Sequence, residues 1–579
     1  MQSSYRGLFR RPSSVSPFLA VCMSVFGLLV PLSMANASDS PSFVDERQPT
    51  QVPGLEQIRE PEARRSATRV SLPEVAGAIR RETVVPVAHL DFRGGTVFEL
   101  EDLASGLSPM LGQRVTVGEL IEAVEEITRR YQEAGYPLSY AYLPDNNFRN
   151  GVVTVVVVEG YIARTELDID KASVASRVRR LAARIVDERP LTRATFERYT
   201  ALMERMPGAQ LAINAPVPRT PSGGTTLRVE ERTMRSLDGG FSLQGGDEDD
   251  VQLLANLTLQ SNTRHAERLS LAALVPLDTD DEFYAAEYQQ ELGVEGLRLS
   301  LAASRFETDE STGTSLLGNQ LAREEKVTER YRAGLDYPLH LSRRFSWFVG
   351  GQLDHHHQRT LFVEQGLALL EQRLNFSAFE LNTRLRRASE ERILEWRGDL
   401  RQGVDLGANR NRLSSATGSI NQPEDLHFTR LGSEARWVEQ LASRWRLTSR
   451  IAGFWSDDTL PSPEQGNYGG SRFGRGYGDS QAEGDYGVAG EIELRYLQPV
   501  ESDWVSSVEP YLLVDGARTR FNERDTEHEI ASAVAGVELS RGSLYRLGVE
   551  YAQPIGDRDL DSDSRDGRIN ARISWNLGG

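Results

Sequence analysis

The segment Asn467-Tyr-Gly-Gly-Ser-Arg-Phe-Gly-Arg-Gly-Tyr-Gly-Asp479 is a glycine-rich loop with an arginine at its tip. Its glycines remove helix propensity, so we do not expect a helix there. It also lacks the Lys-Ser/Thr pair and the following helix of a phosphate-binding loop. The next pattern is a strand, from Gly487 to Val500. The sequence therefore predicts a long, permissive loop between two β-strands, with Arg475, Gly476 and Tyr477 at its tip.

Residues 1–37 have the pattern of an export signal. Arginines near the start precede an apolar stretch that is too short to span a bilayer, and Ala35-Asn36-Ala37 is a small-residue cleavage pattern. The single cysteine, Cys22, lies in the apolar stretch and would leave with it, so we expect a mature chain without disulfide or thiol chemistry. Lipid attachment at Cys22 is the alternative, and the downstream cleavage pattern argues against it.

Residues 236–579 alternate apolar and polar side chains, as amphipathic β-strands do. Near the end, Ile569 and Ala571 alternate with Asn570 and Arg572. An outer-membrane barrel turns its apolar face to lipid and its polar face to the lumen, whereas a soluble sandwich buries its apolar face. The alternation alone leaves both folds open.

The connections between these strands favour the barrel. Tight turns alternate with long loops, as periplasmic turns alternate with external loops in bacterial barrels. The expected long loops are Thr308–Glu325, Gln358–Arg373, Asp405–Leu426, Ser456–Gly484 and Asp557–Arg565. We therefore predict an all-β transmembrane barrel of about 16 antiparallel strands. Inside such a barrel, the arginine-tipped loop is expected to be a gate or a folded-in plug.

Two α+β units are expected between the signal and the barrel, over 74–162 and 163–233. In the first unit, Thr116 and Glu119 form a capping box at the start of a helix. Gly135 ends that helix, because glycine readily adopts the left-handed conformation that follows a helix. Strands follow the helices in both units.

Two further segments leave alternatives open. Arg177, Arg180 and Arg184 form one helical stripe, which is either a solvated face or a contact for substrate or lipid. Residues 38–73 are polar and rich in proline. They form either a disordered tether or a linker with one short helix near Leu55–Arg65.

The sequence lacks a nucleophile elbow, a zinc motif and a nucleotide loop, so we expect neither catalysis nor a cofactor. The formal net charge of −18 argues against a nucleic-acid partner. His355 and His357 share one face of a strand, but no third metal ligand stands at a suitable spacing. Asp457-Asp458 and Asp247–Asp250 are expected to be solvated loop acids or weak cation sites.

Several short motifs resemble those of one transporter family. The POTRA domains of two-partner secretion transporters are matched by Tyr131, Gly135-Tyr136, Leu143-Pro144, Gly151 and Glu159-Gly160. Arg475-Gly476-Tyr477 is similar to the signature of the family's inward-folded loop, and Val514-Asp515-Gly516 to the strand signature that receives it. The chain thus resembles the haemolysin and filamentous-haemagglutinin secretion/activation family over nearly its whole mature length.

This resemblance implies periplasmic POTRA domains, an outer-membrane barrel and the export of a large, β-rich exoprotein of adhesin or cytolysin type. It also implies contact with outer-membrane lipid, and with the barrel assembly machinery during biogenesis. A helix within 38–73 would be the plug of the resting pore. A barrel-insertion factor of the same superfamily and a passive porin are the alternatives.

The receiving strand gives the loop an expected partner. Leu512 and Val514 should face lipid, so Asp515 should face the lumen. A lumenal carboxylate can accept a bidentate bond from a guanidinium group. We therefore expect Arg475 to pair with Asp515 and to hold the loop inside the pore. The alternative is a solvated Arg475 beside an ordinary pore-lining carboxylate.

Overall fold

The structure is a computed structural model that describes residues 81–144, 148–246, 251–275, 277, 281–311, 323–422, 425–524, 526–560 and 562–577. The expected export signal, the linker over 38–73 and the acids Asp247–Asp250 lie outside these residues. Among the helices described, none combines the length and apolar character needed to cross a bilayer.

The first α+β unit packs a long helix on a three-stranded sheet. Its elements are β1 (Val84–Pro86), β2 (His89–Arg93), α1 (Leu100–Ala104), β3 (Arg114–Thr116), α2 (Val117–Glu133), β4 (Tyr140–Tyr142) and β5 (Val152–Val158), with 3-10 turns at Ser108–Met110 and Arg149–Gly151. The expected capping box is confirmed, because Thr116 and Glu119 bond each other's backbone N–H groups at the start of α2. Leu120, Val124 and Tyr131 form the buried face of α2.

The second unit repeats the topology of the first. Its elements are β6 (Tyr161–Asp168), α3 (Ala172–Val186), α4 (Arg193–Glu204), β7 (Ala209–Asn214) and β8 (Gly224–Met234). The sheet orders are β2-β5-β4 and β6-β8-β7. In both sheets the last strand lies in the middle and runs parallel to the first.

The strands from Leu237 onward close into a 16-stranded antiparallel barrel, as predicted. The wall strands are β9 (Leu237–Gly246), β10 (Gln252–Gln260), β11 (Arg268–Val275), β12 (Glu282–Leu292), β13 (Leu297–Ser311), β14 (Arg323–Leu341), β15 (Phe345–Glu364), β16 (Leu367–Ala388), β17 (Arg392–Val404), β20 (Thr429–Ala442), β21 (Trp445–Trp455), β24 (Tyr486–Tyr496), β26 (Ser507–Arg520), β27 (Glu527–Arg541), β28 (Tyr545–Pro554) and β29 (Arg568–Asn576). Shorter elements are β18 (Arg410–Ser415), β19 (Gly418–Asn421), a 3-10 turn (Ser462–Glu464), β22 (Gly466–Tyr468), β23 (Ala482–Gly484) and β25 (Gln498–Pro499). The barrel closes where β29 pairs with β9, and Trp575 stacks on Phe241 there.

The two faces of the wall differ as the alternation predicts. On β26, Leu512 and Val514 are 63% and 56% exposed on the outside, whereas Asp515 is 3% exposed and faces the lumen. Apolar side chains outside and polar side chains inside are the arrangement of a membrane barrel with a polar interior.

Two of the expected long loops contain strands. Within Gln358–Arg373, β15 and β16 leave only a two-residue turn, because their pairing continues outward and Arg359 forms an ion pair with Glu371 at 2.7 Å. Within Asp405–Leu426, β18 and β19 form a hairpin whose first strand pairs with β16. These strands are hard to predict because they lie beyond the apolar band of the barrel, where the alternation of apolar and polar residues is strongest. Charged residues interrupt the alternation in both segments.

Candidate functional site

The loop between β21 and β24 folds into the barrel as a short hairpin. β22 pairs with β23 at its base, and both Phe473 and Tyr477 at its tip are 1% exposed. These side chains lie in an apolar cluster with Phe454, Tyr468, Ala482, Ala489, Ala517 and Ile530. Burial of this apolar surface stabilises one position of the tip against the wall.

The tip approaches the wall too closely for side chains at two glycines. Gly474 has a φ of 128°, a conformation that L side chains rarely adopt. A Cβ atom at Gly476 would lie 2.8 Å from the backbone nitrogen of Pro554. Glycine at these positions therefore lets the backbone of the loop contact β27 and β28 directly.

The Arg475 guanidinium group pairs with Glu550 rather than with Asp515. Its Nη1 donates to Oε2 of Glu550 at 2.9 Å, and its Nη2 lies 4.0 Å from Oε2 of Glu491. Glu550 also accepts from the Tyr511 hydroxyl at 2.5 Å, which fixes the carboxylate in place. A charge-assisted contact of this kind is among the stronger hydrogen bonds in proteins.

Asp515 receives the backbone of the loop instead. Its Oδ2 accepts from the N–H of Arg475 at 3.1 Å, and the next N–H, of Gly476, donates to Oγ of Ser532 at 2.9 Å. The expected bidentate bond between Arg475 and Asp515 is therefore wrong. The loop backbone lies so close to β26 that the long arginine side chain extends past Asp515 to the carboxylate on β28.

The structure brings all the residues expected at the loop together. The Tyr477 hydroxyl donates to the carbonyl of Asp557 at 2.8 Å and accepts from the N–H of Gly556 at 3.1 Å. Gly516 follows Asp515 on β26 and pairs with Ala531 of β27.

Sequence reasoning missed Glu550 and Ser532 as contacts of the loop. The alternation of side chains along β28 could have identified Glu550. The neighbouring Tyr551 is exposed on the outside, so Glu550 must face the lumen.

The matched POTRA residues build the first unit rather than an open pocket. The Tyr131 hydroxyl donates to Glu159 at 2.8 Å, and the N–H groups of Thr96 and Val97 donate to the same carboxylate at 2.6 and 2.9 Å. Burial raises the pKa of Glu159, but these hydrogen bonds outweigh burial and hold that pKa below its ordinary value. Glu159 therefore joins α2 to the segment before α1.

The other matched residues serve the same packing. The backbone of Gly160 passes so close to Leu138 that a Cβ atom would lie 2.3 Å from that residue's carbonyl oxygen. Gly135 follows the end of α2, Gly151 precedes β5, Tyr136 and Leu143 pack on the first core, and Pro144 is half-buried.

The arginine stripe on α3 docks the second unit on the barrel. Arg177 is 2% exposed, donates to the carbonyl of Gly293 and lies 3.9 Å from Glu291. Arg180 donates to the carbonyl of Arg264, and Arg184 lies 3.2 Å from Glu295. The stripe is therefore a contact between domains, with Arg177 buried and Arg184 half exposed, and the solvated face predicted for it is wrong at Arg177.

The helix α4 extends this docking surface. Arg198 donates to the carbonyls of Glu295 and Pro338 at 2.7 and 3.0 Å, and the Tyr199 hydroxyl donates to the Glu295 carboxylate at 2.9 Å. Ala266 and Leu341 of the barrel belong to the apolar core of the second unit. The second unit is thus seated under the turns that join β10 to β15.

The candidate metal ligands have other partners. His355 bonds to Ser377 at 3.0 Å, and His357 bonds to Asn375 at 2.7 Å. Asp458 is not a solvated acid, because it accepts from the backbone N–H of Thr429 at 2.6 Å. Within the residues described, no group of three side chains is placed to hold a metal ion.

Two family descriptions match the chain over these parts of the structure. Residues 85–160 match the POTRA domain, ShlB-type, and residues 251–539 match the Haemolysin secretion/activation protein ShlB/FhaC/HecB. The chain belongs to the ShlB/FhaC/HecB haemolysin secretion/activation family. The expected family is therefore confirmed.

Alignments with known proteins cover most of the chain. The chain is 21% identical to the outer membrane transporter CdiB of Dickeya dadantii, covering 90% of this chain and 92% of that protein. It is 23% identical to the hemolysin transporter protein HpmB of Proteus mirabilis, covering 75% and 76%. The fold matches CdiB from Escherichia coli with a TM-score of 0.68 at 16% identity, covering 94% of this chain and 100% of that one.

Family membership establishes the location and the class of function. This family member is an outer-membrane transporter of a two-partner secretion system, with its POTRA region in the periplasm. Members of this family export a large exoprotein. They are transporters rather than enzymes.

Proposed function

We propose that this chain exports an extended exoprotein of adhesin or cytolysin type through its lumen, and that the Arg475 loop is the gate. The seating of the loop carries this proposal: its tip is buried in the lumen and bonded to β26, β27 and β28. A buried, charge-paired contact has two distinct states, seated and released, so it can act as a gate.

We also propose that both α+β units are POTRA domains and that they receive the exoprotein in the periplasm. Their shared topology supports this. Within the described ladders, β2 and β6 each pair on one side only. An edge strand can bind an extended peptide by main-chain hydrogen bonds, and it needs no fixed sequence to do so.

The docking of the second unit suggests the route of entry. Its contacts lie under the turns of β10 to β15. The exoprotein would then enter beside this unit, beneath the turns that join β20 to β28. The apolar outer face would contact lipid, and insertion of the barrel would involve the barrel assembly machinery.

Replacement of Arg475 by Ala tests the gate. It removes the Glu550 contact, so the loop loses its charge-paired position. We expect near-complete loss of exoprotein from the medium, normal amounts of folded barrel in the outer membrane and altered channel conductance. Arg475→Lys should rescue poorly, because an ammonium group cannot reach toward both Glu550 and Glu491 as a planar guanidinium does. Normal secretion and conductance in Arg475→Ala would reject the gate.

A further inference from the structure

A second cluster of charges holds the other end of the same loop. Both carboxylate oxygens of Glu464 accept from Arg401 of β17, at 2.8 Å from Nη2 and 2.7 Å from Nε. The two side chains are 2% and 3% exposed. This bidentate geometry gives the strongest form of charge-assisted hydrogen bond between two side chains.

Other charged side chains of the wall surround the pair between Glu464 and Arg401. Arg401 also lies 2.8 Å from Asp354 and 3.3 Å from Glu380. Arg330 and Arg332 lie 3.4 and 3.5 Å from Asp354. A buried carboxylate is costly unless it is paired, so Glu464 favours the position of the loop in which it meets Arg401.

Apolar packing fixes the same end of the loop. Leu460 is fully buried, a few residues before Glu464. It lies in a cluster with Leu374, Phe376, Ala378 and Phe428 of the wall and the preceding loop. The start of the loop is therefore held by both burial and charge.

The two ends of the loop contact different sides of the barrel. The residues around Arg401 stand on β14 to β17, whereas the contacts of Arg475 stand on β24, β26, β27 and β28. β20 and β21 separate these walls on one side, and β29 together with β9 to β13 separates them on the other. The loop therefore crosses the lumen, with a carboxylate held by one wall and a guanidinium held by the other.

We propose that Glu464 and Arg401 form a second, independent anchor, which positions the base of the loop when the Arg475 end is released. The proposal rests on the loop being the gate. Glu464 and Arg401 are positioning residues, since they act on the transport path through the loop. Release of the tip alone would then swing the loop about its Glu464 end, and full opening would require both contacts to break.

Single-channel recordings of the purified, full-length protein in planar bilayers test this. Glu464→Gln should raise the ratio of open to closed dwell time about tenfold, because it removes one buried charge-assisted pair. Arg401→Gln should raise the ratio further, because it leaves Glu464 as an unpaired buried carboxylate beside Asp354 and Glu380. The double variant should be no worse than Arg401→Gln alone. Glu464→Gln combined with Arg475→Ala should open the channel further than either change alone, since the anchors are independent.

Asp457→Asn is the matched control, because it removes an exposed carboxylate from the same loop and should leave the dwell times unchanged. Heat-modifiable migration on gels reports whether each barrel is folded. Folded Glu464→Gln and Arg401→Gln channels that behave like Asp457→Asn would overturn the second anchor. If Arg475→Ala also leaves the dwell times unchanged, the proposal that the loop is the gate is rejected. If Arg475→Ala opens the channel, only the second anchor is rejected.

Discussion

At the scale of single residues, Arg475 makes two separate contacts. Its backbone N–H bonds to Asp515, and its guanidinium group bonds to Glu550. A change of side chain removes only the second contact. The side-chain pair and the backbone contact therefore contribute separately to the seating of the loop.

Double-variant cycles measured by channel conductance should separate these contacts. Arg475→Ala and Glu550→Gln remove the same ion pair, so the double variant should be no worse than the worse single variant. Arg475→Ala and Asp515→Asn weaken different contacts, so their effects on the free energy of loop release should add. The opposite pattern, with coupling to Asp515 and additivity with Glu550, would show that the guanidinium acts on Asp515.

The sequence identifies these residues better than it identifies their partners. Alternation along β26 places Asp515 in the lumen because side-chain direction depends only on neighbouring residues. The choice between Asp515 and Glu550 depends on how far the loop backbone enters the barrel. That depth is decided by the burial of Phe473 and Tyr477 and by glycine contacts with the wall, which involve strands distant in sequence.

At the scale of elements, one carboxylate joins separate parts of the first α+β unit. Glu159 accepts hydrogen bonds from Thr96, Val97 and Tyr131. Its pKa is lowered in the folded domain, so its contribution to stability is fully present above the unfolded pKa of about 4.3. That contribution is lost as the pH falls through the folded pKa.

Glu159→Gln should therefore destabilise this domain by about 1 kcal/mol at neutral pH, a modest value because water still reaches the carboxylate. The stability of the variant domain should also depend less on pH below about 4 than that of the unchanged domain. Hydrogen exchange of α2 and β5 in the full-length protein measures both effects. Glu101→Gln, which changes an exposed carboxylate on α1, is the control. Equal protection of the α2 and β5 amides from exchange in the two variants would contradict a stabilising role for Glu159.

The docking of the second unit gives a prediction about domain motion. Spin labels at Ala194→Cys on α4 and Ser543→Cys on a distant barrel turn should give a narrow distance distribution. Arg177→Ala should broaden it, because the buried guanidinium bonds to the turn at Gly293. Arg179→Ala, on the exposed face of the same helix, should not. An unchanged distribution in Arg177→Ala would show that the stripe does not hold the domain.

Elements were more predictable than the contacts between them. The capping box and buried stripe locate α2, since a helix is decided by residues within a few turns. The arginine stripe on α3 is helical by the same reasoning. Its partners are on barrel turns far along the chain, and two of them are backbone carbonyls, which leave no pattern in the sequence.

At the scale of the whole molecule, a rigid wall surrounds a loop that crosses the lumen. The wall is fixed by a closed ladder of antiparallel strands. The loop is held by fewer contacts, at Glu464 on one side and at Arg475 on the other. If the loop is the gate proposed above, this difference in stability would let it move while the barrel stays closed, and transport would need no opening of the wall.

The most direct test of this account is to capture the exoprotein in transit. A photo-crosslinking residue at Gln352 of β15 faces the lumen, whereas one at the adjacent, exposed Leu353 faces lipid. The exoprotein is stalled by fusion of a tightly folded domain to its C-terminus. The account predicts adducts with the stalled exoprotein from position 352 and none from position 353. Adducts from position 353 alone, or from both positions equally, would contradict passage through the lumen.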